Sequence, residues 1–388
     1  MSFTTLAFLL LLAQPAAAAA DPATPPEPES GPEVRFYGLL KVDAAYDTAC
    51  TVPGNFVKWV ELEPDNPDDD GFHLTANQSR LGIEVTDLAG RTTEAGARFE
   101  IDFYGGGPEN RSEPMLRHAY FRVGWPKRGL ELLAGQTSDL FSPLSPPTLN
   151  YSVAWFAGNI GYRRPQIRLT HRSRPGDGIG FELAGAIART ISDLQSDFVP
   201  VDAGVDAGVP GVQGRLGVDI PRGGDDSLRL GLSGHWSQEE LDTSAQGEAT
   251  DFDSWSLNLD FSTALGRRTR LQGELFEGAN LTAYLGGIGQ GVNLDRMQEI
   301  GSRGGWTALA WEDGRRLALS FGGSLEQVES DDVESGDRES NRSLYATAIY
   351  SLTPAVRLGV ELSHWRTGYK DRGDADDFRT QLSLMYDF

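Results

Sequence analysis

Apolar and polar residues alternate with a period of two along most of this 388-residue chain. In the final stretch, FRTQLSLMYDF, one side carries Phe378, Leu382, Leu384, Tyr386 and Phe388. The other side carries polar residues that include Arg379, Gln381 and Asp387. A period of two is the spacing of a β-strand with two unlike faces. Such a strand turns its apolar face either to a soluble core or to membrane lipid, and the strand alone does not decide between them.

The same alternation recurs along the chain and predicts an all-β protein of sixteen strands. In the strand 94–104, for example, Phe99 and Ile101 alternate with Arg98, Glu100 and Asp102. The pattern leaves the facing of the strand 116–123 open. The predicted strands are 34–46, 79–87, 94–104, 116–123, 130–137, 165–172, 179–188, 212–220, 227–236, 254–265, 269–276, 305–311, 316–328, 343–352, 356–365 and 378–388.

The connections between these strands alternate between short turns and long loops. Seven are short and rich in Gly and Pro, as in GWPKRG (124–129) and SLTPA (351–355), which favours tight turns. The eight long ones cover 47–78, 105–115, 138–164, 189–211, 237–253, 277–304, 329–342 and 366–377. Short turns on one side and long loops on the other are typical of bacterial outer-membrane barrels. The fold class predicted is a 16-stranded antiparallel transmembrane β-barrel with short periplasmic turns, long extracellular loops and an inward-folded third loop.

The N-terminus indicates export. Residues 6–13 form a short apolar run, and 16–20 are all alanine, which predicts a signal peptide at 1–20. A membrane anchor is the alternative, but the run falls short of the ~18–20 residues that span a bilayer. The Pro- and Glu-rich stretch 21–33 is predicted to be a disordered lead-in, and 34–388 to be the barrel.

Composition removes several function classes. The formal net charge of −22 argues against nucleic acid as a partner. Cys50 is the only cysteine, so an internal disulfide is excluded and no cysteine pair points to a metal site. We predict neither a metal nor a cofactor, and no enzyme activity. A barrel hydrolase is retained as an alternative because His171 and His235 each have a serine two residues later.

Several stretches resemble one family. NQSRLGIEV, GARFEIDFYGG, LRHAYFRVGW, LLAGQTSDLFSPL and RRPQIRLT, within 76–172, are similar to the DcaP-like outer-membrane porins. The resemblance implies a homotrimeric porin with sixteen strands that passes small, often anionic solutes. Phe388, with Tyr386, resembles the C-terminal signal read by the barrel-assembly machinery. The stretch 21–33 lacks the heptads of the family's periplasmic coiled coil, so no such stalk is expected.

The third long loop, 138–164, is the predicted constriction. It is too long for a simple hairpin and contains Pro-Pro and several aromatic residues. We expect it to fold into the barrel, although an extracellular flap is the alternative. Its candidate residues are Asp139, Tyr151, Trp155 and Phe156.

The lumen is predicted to carry both signs of charge. Arginine dominates its cations, and its planar guanidinium pairs with carboxylates through two hydrogen bonds. The alternative for each arginine is a structural pair with a wall acid. The pore-lining candidates are Arg80, Arg98, Glu100, Asp102, Arg122, Arg163, Arg164, Arg168, Arg215 and Arg229.

These features predict an outer-membrane porin for passive diffusion of small hydrophilic solutes, preferring small organic anions such as dicarboxylates. A cation-preferring general diffusion porin is the second alternative beside the hydrolase. The expected partners are outer-membrane lipid, lipopolysaccharide and the barrel-assembly machinery. Acidic loop runs such as 63–70, 329–339 and 371–377 either bridge divalent cations to lipopolysaccharide or are simply solvated.

Overall fold

The computed structural model describes residues 31–62, 70–87, 92–106, 111–194, 201–223, 226–244 and 247–388. The predicted signal peptide (1–20), residues 21–30 of the lead-in and most of the acidic run 63–70 lie outside these residues. The described barrel begins at Glu33, one residue before the predicted start.

The described residues form one closed antiparallel sheet. Its seventeen segments make sixteen strands, because two segments separated by a short break are parts of β2. The last strand pairs with the first, from Leu39 opposite Asp387 to Asp47 opposite Arg379, and so closes the barrel. The strands are β1 (Glu33–Asp47), β2 (Gly71–Thr75 and Arg80–Asp87), β3 (Glu94–Asp102), β4 (Met115–Trp125), β5 (Leu130–Ser138), β6 (Arg163–Ser173), β7 (Gly180–Ala188), β8 (Gly211–Gly223), β9 (Asp226–Asp242), β10 (Ala249–Ala264), β11 (Thr269–Ala279), β12 (Gly301–Glu312), β13 (Leu317–Val328), β14 (Arg338–Ser351), β15 (Val356–Tyr369) and β16 (Gly373–Asp387).

The two faces of the barrel differ as the alternation predicts. On the outer face, Leu183, Leu257 and Leu382 are 58%, 55% and 53% exposed. On the inner face, their neighbours Asn258 and Gln381 are almost completely buried. An outer surface of exposed leucine and phenylalanine with a polar interior is the arrangement of a barrel that contacts lipid. No helix among the described residues is both long and apolar enough to cross a membrane.

Two of the predicted long loops are wrong. The strands β9 and β10 continue to Asp242 and from Ala249, so most of 237–253 is a paired hairpin. Likewise β15 ends at Tyr369 and β16 begins at Gly373, which places most of the acidic run 371–377 in a strand. Polar residues occupy both faces of these extensions, so the alternation that marks a strand fades although the pairing continues.

The structure shows which way the side chains of residues 116–123 face, which the sequence pattern left open. The pairing of β3 with β4 shifts by one residue, because Glu100 lies opposite His118 and Ile101 lies opposite Leu116. Arg117 is the extra residue of a β-bulge, and its side chain is buried beside Glu100. A bulge breaks strict alternation, which is why the sequence pattern did not assign the facing of this strand.

Three loops fill the long-loop half of the interior. The hairpin of Thr51–Pro53 and Val57–Val60, the third loop at 139–162 and the loop at 280–300 bury apolar residues against one another and against the inner wall. Two short 3-10 turns, Thr282–Tyr284 and Gly287–Gly289, belong to the last of these loops. The inward-folded third loop predicted from the sequence is therefore confirmed.

Candidate functional site: the barrel lumen

The third loop follows the inner wall from β8 to β1. Leu140 N–H donates to Gln213 on β8, and Leu144 N–H donates to Glu274 on β11 at 2.8 Å. Farther on, the Leu149 carbonyl accepts from Lys41 on β1 at 2.9 Å. Irregular backbone inside a protein must find partners for its N–H and C=O groups, and here the wall side chains supply them.

The base of the loop is closed by an ion pair. Asp139 accepts from the Arg164 Nε at 2.7 Å, from the Gln213 amide at 2.7 Å and from the Tyr162 N–H at 2.8 Å. The Arg164 guanidinium lies 3.7 Å over the ring of Tyr284 in the neighbouring loop. These contacts fix the position at which the third loop leaves and rejoins the wall.

On the wall of β3 and β4, four charged side chains form a compact cluster. Arg117 donates to Glu100 and to Asp102, each at 2.7 Å, and bridges the two carboxylates. Arg98 donates to Glu100 at 2.6 Å and to the Tyr37 hydroxyl at 2.6 Å. The cluster therefore holds two guanidinium and two carboxylate groups.

Arg80 lies on the neighbouring strand β2, and its Nε is buried without a hydrogen-bond partner. Arg80 and Arg117 interact electrostatically with each other and with the same acids. A buried N–H without an acceptor is costly. The wall of β2 to β4 therefore carries three guanidinium groups, and Glu100 and Asp102 accept hydrogen bonds from only two of them, those of Arg98 and Arg117.

A row of alternating charges continues along the inner wall. Arg122 lies 3.4 Å from Glu131, and Arg172 contacts Glu131 at 4.0 Å and Glu182 at 2.8 Å. Arg215 then joins Glu182 at 3.1 Å to Asp260. Gly231 on β9 lies between Arg215 and Asp260, and a Cβ there would lie 2.1 Å from the Asp260 carboxylate. The absent side chain lets the row cross β9 without interruption.

Below the loop, a cavity of about 660 Å³ remains between residues 139–144 and strands β6 to β10. Five arginines and four acids line it: Arg168, Arg172, Arg174, Arg215 and Arg229, with Asp139, Glu182, Asp219 and Asp260. Arg168 donates to the Ser138 carbonyl at 2.6 Å and to Gln166, and Arg229 is mostly exposed, with Asp219 3.9 Å away. Arg229 and Arg172 are the most exposed of these arginines, at 66% and 59%, whereas Arg215 is 12% exposed.

Two predicted pore-lining residues are wrong. Arg164 faces inward but is fully buried beneath the loop, where its pair with Asp139 closes it off from solutes. Arg163, the residue before it, is also buried and interacts electrostatically with Tyr151 and His118. It is 7% exposed, and its guanidinium lies 4.9 Å over the Tyr162 ring.

The predicted constriction residues lie inside the barrel but differ in role. Asp139 anchors the base. Tyr151 stacks on Tyr104 at 3.9 Å and donates to Asp102 at 3.1 Å, and Phe156 packs edge-on against Trp59. Burial raises the pKa of Tyr151 to about 12, so its hydroxyl keeps its proton at neutral pH. Trp155 is the only one of the four predicted residues that is partly exposed.

Sequence reasoning missed Arg117 and the structural role of the wall glutamates. The bulge hid the inward direction of Arg117. Glu274 and Glu326 lie on the polar face of their strands like other lumen acids, yet both are almost completely buried and hydrogen-bonded to loop backbone. Nothing in the spacing of single residues indicates which wall positions a folded loop will cover.

One of the two histidines of the hydrolase alternative, His235, is enclosed, whereas His171 is exposed. His235 contacts the Ser256 hydroxyl at 2.7 Å and the Ser254 hydroxyl at 3.2 Å. Its ring stacks against Phe141 and Tyr284, and the residue is 6% exposed. A nucleophile must reach a substrate carbonyl. Neither of these serines is accessible, and neither is Ser237, the serine two residues after His235, because all three are buried.

The fold is similar to solved barrels. The outer membrane channel DcaP of Acinetobacter baumannii matches with a TM-score of 0.73 and 17% identity, over 93% of this chain and 98% of that chain. An anion-selective porin from Comamonas acidovorans matches with a TM-score of 0.57 and 16% identity, over 92% and 100%. OmpT of Vibrio cholerae, in its trimer form, matches with a TM-score of 0.56 and 10% identity, over 92% and 100%.

Comparison of the sequence with protein-family models and with curated proteins finds no match. At the identities of the solved barrels, the similarity establishes the fold. The resemblance to the DcaP-like porins is confirmed at that level.

Proposed function

We propose that this protein is an outer-membrane porin that lets small hydrophilic solutes diffuse passively and prefers small organic anions such as dicarboxylates. The observation that carries the proposal is the arginine-lined space left beside a folded third loop inside a closed, lipid-compatible barrel. Sixteen strands enclose a lumen wide enough for water. Among the similar structures, DcaP is a channel and the Comamonas porin is anion-selective.

The sign of the preference follows from which charges are accessible. Asp260 and Glu100 are 5% and 2% exposed, whereas Arg122, Arg172 and Arg229 are 50%, 59% and 66% exposed. The acids beside these three arginines, Glu131, Glu182 and Asp219, are 26%, 25% and 25% exposed, so each is more buried than its arginine. An anion in the lumen therefore meets guanidinium donors first, and fixed charges act most strongly where water is scarce.

Assembly and location belong to the same proposal. A signal peptide at 1–20 would export the chain, and the barrel-assembly machinery would read Tyr386 and Phe388. We propose a homotrimer, as in the trimer form of OmpT, with outward Leu40 and Ala44 at the protomer contact. Lipopolysaccharide would surround the long-loop end.

The test is single-channel recording in planar bilayers under a KCl gradient. The wild-type reversal potential should indicate Cl⁻ preference, and a dicarboxylate should block the current. Arg98→Gln combined with Arg122→Gln should shift the reversal potential toward cations and weaken the block. A wild-type channel selective for K⁺ would overturn the proposed anion preference. Absence of any conductance would overturn the proposal that the protein is a porin.

One observation favours the cation-preferring alternative. A cavity of about 490 Å³ at the long-loop end is lined by Asp193, Glu239, Asp295, Glu334 and Asp337, with no basic side chain in its lining. If this acidic entrance dominates, the same recording gives K⁺ selectivity that falls steeply as salt is raised, because exposed charges are screened over about 8 Å at physiological ionic strength.

A further inference from the structure

Three buried glutamates on one side of the barrel hold the inner loops by their backbone. Glu274 on β11, Glu326 on β13 and Glu361 on β15 are each 2% exposed or less. Their hydrogen-bond partners among the described residues are main-chain amides, threonine hydroxyls and one indole, rather than guanidinium or ammonium groups. These three carboxylates therefore bind the loops, although the lumen around them is rich in arginine.

Glu361 is the most heavily used of the three. It accepts from the Leu149 N–H, from the Asn150 N–H at 3.3 Å and from the Thr148 hydroxyl, which lies 2.7 Å from both carboxylate oxygens. The Thr347 hydroxyl on β14 adds a further donor at 2.7 Å. Every group around this carboxylate is a donor, so its site requires two acceptor oxygens.

The same short segment is held from the other side. The Leu149 carbonyl accepts from the Lys41 ammonium at 2.9 Å and from the Gln381 amide at 3.2 Å. Lys41 and Gln381 lie on β1 and β16, where the barrel closes. The N–H and the carbonyl of Leu149 are thus both bound to wall strands. Residues 148–150 therefore attach the limb of the third loop that runs along the wall from β8 to β1.

The geometry also fixes where the limb goes if it detaches. The wall blocks outward movement, so residues 144–150 can move only toward the lumen. There Leu144 lines the arginine-lined cavity, and Pro147 and Thr148 line a second cavity of about 540 Å³ beside β12 to β15. Detachment would narrow or close the remaining path. We propose that Glu361 is the latch of the pore: it holds residues 148–150 to the wall in the open state, and its release produces closures. This regulation rests on the proposed porin function.

The experiment compares Glu361→Gln with wild type. The amide is nearly isosteric but replaces one acceptor with a donor, which then faces the Thr148 hydroxyl or a backbone N–H. Hydrogen bonds to charged groups contribute more than neutral ones, so exchange of the Leu149 and Asn150 amides, measured by hydrogen–deuterium exchange, should be about tenfold to a hundredfold faster. Single-channel records should gain brief closures.

Two further variants keep the test decisive. Glu131→Gln removes the same charge from a wall acid that contacts arginines rather than the loop, so it should leave exchange at 149 and 150 as in wild type. Thr148→Val removes one donor from the loop side without changing shape, and should speed exchange in the same direction by less. It replaces Glu361→Gln as the test if that variant fails to fold.

Unchanged exchange at 149 and 150 in the folded variants would overturn the latch. So would closures that are equally frequent in Glu131→Gln. If wild type forms no pore, the proposed function fails, while faster exchange in Glu361→Gln still supports the attachment of the loop by this glutamate. The two failures are therefore distinguishable.

Discussion

Replacing Arg117 with methionine should destabilise the barrel strongly. Arg117 is 8% exposed and bridges Glu100 and Asp102, which are 2% and 0% exposed. Methionine fills much of the volume but leaves Asp102 hydrogen-bonded only to the Tyr151 hydroxyl and the Tyr104 N–H, with no guanidinium donating to it. Removing one partner of a buried ion pair costs about 3–5 kcal/mol, because the remaining charge is left in a poorly solvated site. Glu100 is affected less, since Arg98 and Tyr37 still donate to it.

The measurement is urea unfolding of the refolded barrel in detergent micelles. With a slope of about 3 kcal/mol per molar urea, a loss of 3–5 kcal/mol lowers the midpoint by more than about 1 M. Arg122→Met is the matched control, because Arg122 is half exposed and its single acid partner is 3.4 Å away. Exposed pairs contribute about 0–1 kcal/mol, so the control should shift the midpoint by less than about 0.3 M.

A double variant isolates the cause. Adding Asp102→Asn to Arg117→Met removes the unpaired charge, and part of the lost stability should return. Equal midpoints for Arg117→Met and Arg122→Met would refute the reasoning, as would a double variant less stable than Arg117→Met alone.

Two further predictions concern the ends and turns of the strands. A Cβ at Gly38 would lie 2.4 Å from the Phe388 ring and 2.6 Å from a carbonyl of β2, so Gly38→Val should slow barrel closure, seen on gels as less heat-modifiable folded protein. Gly214→Val, at an outward glycine with open space around it, should fold as wild type does, and equal yields for the two would contradict the steric argument. In the turn after β12, Asp313 accepts from the N–H groups of Arg315, Arg316 and Leu317, and these hydrogen bonds hold the pKa of Asp313 below its ordinary value. Its stabilising effect is thus present above the unfolded-state pKa and is lost as pH falls through the folded-state value; carboxyl ¹³C NMR showing an ordinary or raised pKa would contradict it.

Much of the fold was predictable because the lipid-facing side enforces alternation residue by residue. The strand 94–104 is an example: Phe99 is 46% exposed outside, and Glu100 and Asp102 are buried inside, as the pattern indicates. Prediction failed where that constraint ends. Beyond the apolar belt, the hairpin formed by β9 and β10 keeps its pairing without an apolar outer face, so residues 237–253 have the sequence pattern of a loop.

The candidate site was less predictable because its residues meet only after the loop folds inside. A period of two assigns a face but not what covers it, so Arg164 and Arg168 look alike in sequence. In the structure, the loop base buries the first and leaves the second beside the cavity. Arg117 shows the other failure, since one extra residue in β4 interrupts the alternation and leaves the facing of the strand open in the sequence.

The attachment of the third loop also constrains the order of folding. Leu149 binds Glu361, 212 residues later, and Gln381, 232 residues later. Both partners reach their places only when the last strands pair, and contacts between residues so far apart in sequence form late. We therefore expect the nascent barrel to close around a loop that is still unfolded, and the loop to dock as the final step. Pairing of β16 with β1 would then complete not only the wall of the barrel but also the site formed by Lys41 and Gln381 that holds the third loop in place.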